Sequence, residues 1–118
     1  MTTETTFQPL TGADDPRVLA FLRAWHENMR PGFVRDYPNL SPHYDGPHYA
    51  KTAKAGRKYI NLDHGGSGML MVERDTGNVY GIKGYGTVHR GHPRGHIEAL
   101  TAELERATAA SRPMELRP

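Results

Sequence analysis

Seven cations and two tyrosines are the residues of this chain whose types and spacing suit a chemistry, and that chemistry is the holding of an anionic polymer. Between residues 46 and 62 there is no carboxylate, while Lys51, Lys54, Arg57 and Lys58 all fall there. Between residues 76 and 97 acids are again absent, and Lys83, Arg90 and Arg94 stand among His89, His92 and His96. Tyr49, Tyr59, Tyr80 and Tyr85 are interleaved with these cations. Single strands are bound by that mixture: cations track phosphates, and aromatic faces stack on bases for ~1–3 kcal/mol each. The expectation is that Lys51, Lys54, Arg57, Lys58, Lys83, Arg90 and Arg94 converge on one face beside Tyr59 and Tyr85. The plainer alternative makes the tyrosines half-buried strand residues, which strands favour anyway, and the lysines a solvated face.

Other constellations carry less. His89, His92 and His96 are spaced closely enough to share a metal, with Asp63, His64 or Glu98 as a fourth ligand, but Pro93 breaks any helix that would align them. No metal site is expected. Gly65-Gly66-Ser67-Gly68 is followed by a strand pattern, whereas a phosphate cradle needs a helix whose amides face the anion, so it reads as a hairpin turn. Arg94-Gly95-His96 does precede a helix and is a secondary place for an anion. No nucleophile or acid/base frame is recognisable, so no catalytic residue and no cofactor is expected. A metal-dependent enzyme such as a nuclease stays as the enzymatic alternative.

The elements that must position these residues fit one domain. A chain of 118 residues is the usual size of a single core. With no cysteine there is no disulfide framework and no thiolate chemistry, which suits a cytoplasmic setting. No apolar run approaches the ~18 residues of a membrane span, and the opening residues lack the pattern of a signal peptide, so no membrane partner is expected. The net charge of +2 points only weakly toward anions, and its segregation along the chain says more.

Residues 1–14 are read as a mobile tail, 15–110 as one α+β domain and 111–118 as a second tail. Asp15 before Pro16 is a helix start, and Val18, Leu22, Trp25 and Met29 recur at helical spacing with Phe21 beside them. The helix is expected over 16–28, ended by Pro31 and Gly32. Residues 33–56 read as loop pinned by Phe33, Tyr37 and Leu40, with a short helix after Pro47. Strands are expected over 57–63, 69–74 and 78–83, the last two joined through Asp75-Thr76-Gly77. Ile97, Leu100 and Leu104 mark a terminal helix to about Ala109. The fold class is therefore a small antiparallel β-meander of three or four strands, covered by an N-terminal and a C-terminal helix.

The blocks Asp36-Tyr37-Pro38-Asn39-Leu40, Gly56-Arg57-Lys58-Tyr59-Ile60 and Met71-Val72-Glu73-Arg74-Asp75-Thr76-Gly77-Asn78-Val79-Tyr80 resemble a family of small functionally uncharacterised proteins of tailed bacteriophages and prophages. The likeness continues through Gly81-Ile82-Lys83-Gly84-Tyr85-Gly86 to Arg94-Gly95. It implies a viral or prophage origin and a host-cytoplasmic setting, and carries over no catalytic or ligand residue. The functional expectation is a non-enzymatic accessory binding module on single-stranded nucleic acid. The alternative of another class is a modulator that docks on a host or phage protein.

Overall fold

The computed structural model describes residues 7–117. Helix α1 (Pro16–Asp36) begins as its sequence dictates: the Asp15 carboxylate accepts from the Arg17 amide at 2.8 Å, and Pro16 needs no partner at the first position. Its stripe of Val18, Phe21, Leu22 and Trp25 is buried. The helix does not stop at residue 28. Pro31 sits inside it, on the exposed side, where the carbonyl it leaves unpaired can turn to water. Phe33 then holds the last turns by packing on Tyr44 and Tyr49, with ring centres 4.7 and 4.6 Å apart.

Among the described residues five strands follow in one antiparallel meander, ordered β1 to β5: β1 (Lys51–Ala55), β2 (Tyr59–His64), β3 (Ser67–Glu73), β4 (Asn78–Gly84) and β5 (Thr87–His96). The α+β architecture is as expected; the strand count of three or four is corrected to five. β1 lies where a short helix was expected, because Lys51 and Ala53 alternate inward while Thr52 and Lys54 alternate outward. β5 runs through Pro93, which an edge strand tolerates because no neighbour needs its missing N–H. The turn at Gly65 and Gly66 and the turn at Gly77 use positive φ, as the hairpin reading requires.

Helix α2 (Ile97–Ala109) and α1 cover one sheet face. The core between layers contains Trp25, Phe21, Ile60, Leu62, Leu70, Val72, Val79, Ile97 and Leu104. Both ends of the chain join it. Leu10 is buried, its amide donates to the Arg74 carbonyl at 2.8 Å, and Arg74 returns bonds to the carbonyls of Leu10 and Thr11. The tail expected over residues 1–14 is thus packed from residue 7 onward; residues 1–6 lie outside the described residues. Buried Asn28 ties down the C-terminal segment, donating to the Arg112 carbonyl and accepting from the Met114 amide, which seats Leu116 in the core. Within the long connection, Tyr37 and Leu40 stay exposed, and Tyr44 is the residue that anchors it. Among the described residues no helix is long and apolar enough to cross a membrane.

Candidate nucleic-acid interface on the helix-free sheet face

With Ile60, Leu62, Leu70, Val72 and Val79 turned to the helices, strand alternation sends Lys54, Tyr59, Asn61, Asp63, Met71, Glu73, Tyr80 and Ile82 to the other face. Among the described residues no helix lies over that face. β3 keeps this register despite one extra residue, Met69, opposite the Leu62/Asp63 step.

A larger irregularity shapes the face further. Tyr80 pairs with Pro93 and Gly81 with His89, so Arg90, Gly91 and His92 bulge out of β5. The bulge carries the Arg90 guanidinium over the Tyr80 ring, 4.9 Å from its centre. From there Arg90 donates to the Tyr59 hydroxyl and, at 3.1 Å, to Glu73. Lys58 stands 4.0 Å from the same carboxylate. Glu73 is held below the usual carboxylate range, first by the Thr76 hydroxyl and then by Arg90. Arg90 is raised, first by Tyr59 and then by Glu73. Tyr59 is therefore an oriented ring whose hydroxyl is tethered.

Tyr85 is oriented by the same logic from the β4–β5 turn. Its ring lies on the backbone of Gly68, so close that a Cβ there would sit 2.9 Å from the ring. Its hydroxyl donates to Asp63 at 3.1 Å, while the side chain as a whole stays 54% exposed. One face of the ring is fixed and the rest meets solvent. Asp63 is 5% exposed, and among the described residues its Oδ1 has no hydrogen-bond partner. Burial pushes its carboxyl up, opposed by the Tyr85 hydroxyl and the charge of Lys54.

The residues expected to converge are divided by the sheet. Lys54, Lys58, Arg90, Tyr59 and Tyr85 gather on or at the rim of the helix-free face, and Arg57 lies exposed in the tight turn between β1 and β2. Lys51 points inward to α1, since it alternates with Ala53. Lys83 lies exposed at the register break between Ile82 and Gly84, where its charge acts on His89, and Arg94 donates to the Arg117 carbonyl at 3.2 Å in the C-terminal segment. Adjacent sheet ends do not bring every cation of a window to one side, because alternation separates neighbours along a strand.

The rings of His89 and His92 lie tilted against each other with centres 4.0 Å apart, whereas His96 caps α2 by accepting from the Glu98 amide and packs on Phe7. The three histidines do not converge. Among the described residues a different group, His26, Glu27 and Asp45, has metal-like spacing. Cations already occupy it: Arg30 bonds both carboxylates, and Lys51 stands at His26 Nδ1. Sequence reading missed this cluster, although His26 stands four residues beyond Leu22 on the inner stripe of α1, a position at which a polar residue is a signal.

No protein-family model, no curated protein and no solved structure matches the chain.

Proposed function

We propose that this domain is a non-enzymatic binding module that takes single-stranded nucleic acid on its helix-free sheet face, in the phage or prophage accessory setting that the sequence resemblance implies. The observation that carries the reading is the pair of tethered tyrosines, Tyr59 and Tyr85, flanked by Lys54, Lys58 and Arg90. A ring whose hydroxyl is already held loses little freedom when a base stacks on it, so more of the stacking energy is kept. Tyr59 and Asp63, to which Tyr85 is anchored, are separated by roughly 13 Å along β2, which calls for an extended strand. Glu73 and Asp63 temper the field, so binding rests on stacking as much as on charge.

The test is binding of mixed-sequence single-stranded DNA and RNA, followed by fluorescence anisotropy at several salt concentrations. Micromolar affinity is expected, with a log–log salt slope of about −2 to −3 for three or four neutralised phosphates. Tyr85→Ala should weaken binding by ~1–3 kcal/mol and leave the slope unchanged, whereas Lys54→Ala should flatten it by ~0.7. No binding by the folded protein at low salt would sink the reading.

A further inference from the structure

The other side of the sheet carries a lysine that this interface does not use. Lys51 opens β1 and turns inward, its Nζ 5.7 Å from the centre of the Trp25 ring. Its polar neighbours are not carboxylates. They are Nδ1 of His26 at 3.0 Å, the Tyr49 carbonyl at 3.2 Å and the Tyr44 hydroxyl at 3.4 Å. The Nε2 atom of His26 lies 3.0 Å from Oδ1 of Asp45. An ionised carboxylate only accepts, so Nε2 carries the proton and Nδ1 offers its lone pair to Lys51. Arg30 fixes Asp45 by bonding both its oxygens, at 2.7 and 3.1 Å, and stacking of His26 on Tyr44 with 4.1 Å between centres fixes the ring. Amine, base and orienting acid stand in a row, which is the arrangement of an activated nucleophile.

His26, Asp45 and Lys51 line a cleft of about 270 Å³ together with Leu22, Arg23 and Ala50. Arg23 is exposed and, among the described residues, makes no side-chain hydrogen bond or ion pair. Its planar fork is therefore available to an anionic group entering the cleft.

We propose that Lys51 is a reactive amine that condenses with small aldehydes bearing an anionic group, Arg23 holding the anion and His26 acting as the base. In the step, the neutral Nζ attacks the carbonyl carbon and a C–N bond forms. The nitrogen gives up its two protons in turn through Nδ1 of His26, and both end on the carbonyl oxygen, which leaves as water as the C=N bond forms. One amine and one aldehyde become one imine and one water, and no oxidant or reductant is needed. The neutral amine is accessible because burial first, and the charge of Arg30 second, bring the Lys51 ammonium down to about 8. The groups facing Lys51 are His26, Arg30 and the Arg30-paired Glu27 from α1, Tyr44 and Asp45 from the connection, and His64 from β2. None of them places an unpaired carboxylate beside the amine to reverse that shift.

The test uses glyoxylate with cyanoborohydride on the intact protein, read by peptide mass so that the α-amino group and the other lysines, Lys54, Lys58 and Lys83, are counted apart. Lys51 should be reduced onto glyoxylate ~10-fold or more faster than those three at pH ~7.5, since burial brings its ammonium down to about 8 and so frees a larger neutral fraction to attack. His26→Gln should slow Lys51 alone. Because His26 also packs on Tyr44, a second variant is needed that leaves the fold untouched. Exposed Arg23→Ala should slow labelling by glyoxylate several-fold but leave labelling by acetaldehyde, which carries no anion, unchanged. Equal rates at all four lysines, or equal effects of Arg23→Ala on both aldehydes, would overturn the proposal.

Discussion

A methyl group on Gly77 would land 2.6 Å from Nε2 of His96 and 2.7 Å from Cζ of Phe7, at a residue whose φ is +78°. Gly86 has nearly the same φ, +77°, and open space around it. The pair separates backbone strain from crowding. Gly86→Val should cost about 1 kcal/mol, the strain of a side chain at positive φ, whereas Gly77→Val should cost clearly more because His96 and Phe7 must also move. Urea unfolding of the two variants measures the difference, and equal midpoints would remove the crowding term. The turn itself was readable from Asp75-Thr76-Gly77. The crowding was not, since it arises where the N-terminal segment and the cap of α2 meet the hairpin, and no local pattern announces contacts between residues 7, 77 and 96. Single-residue chemistry on the sheet follows the same division. Tyr59, Tyr85, Lys54, Lys58 and Arg90 were recognisable by type, but their partners Asp63 and Glu73 were not.

Helix α1 shows which element boundaries local chemistry decides. Its start was legible because Asp15 and Pro16 determine it between themselves. Its end was not, because the bias of Pro31 against continuation is outweighed by Phe33 packing on Tyr44 and Tyr49, residues from a connection whose course no periodicity reveals. β1 escaped for a related reason, since Lys-Thr-Ala-Lys-Ala has weak strand preference and is a strand only because β2 pairs with it. The start also bears a pH prediction. Asp15 is buried, and the side chain of Arg17, with the amides of Thr11 and Arg17, holds its carboxyl well below the usual range. A depressed acid contributes stability above its unfolded pKa of about 4 and loses it as pH falls toward the folded value. Asp15→Ala should therefore cost about 1–2 kcal/mol at pH 7, within the range of lost caps. The gap between variant and wild type should narrow in urea titrations at pH 3. A gap independent of pH would mean that the charge of Asp15 is not what caps α1.

At the scale of the whole molecule, one sheet separates two chemistries, with tethered tyrosines on its helix-free face and the Lys51–His26–Asp45 row beside α1. The cation windows were visible as composition, but composition has no inside or outside; only the register of β1 against β2 decides that Lys51 turns in and Lys54 turns out. The same topology dictates where the domain opens. β2, β3 and β4 each have a neighbour on both sides and supply Ile60, Leu62, Leu70, Val72 and Val79 to the core. β1 is a short edge, and β5 is an edge whose pairing with β4 shifts register at three steps. Edges with broken ladders open without unfolding the rest, whereas a central strand opens only with the core. Amide hydrogen exchange should thus divide the sheet sharply. Val72 and Val79 should exchange only by global opening, with free energies near the full stability, typically 5–15 kcal/mol for a domain. Amides of the Arg90-Gly91-His92 bulge should exchange through local openings several kcal/mol lower. Single strands bound over Tyr59 and Arg90 would then slow the bulge amides directly, and would slow Val72 and Val79 only by what binding adds to the stability of the whole domain. If the bulge proved as protected as β3 in the free protein, β5 would be an integral part of the core and not the movable rim that this arrangement makes it.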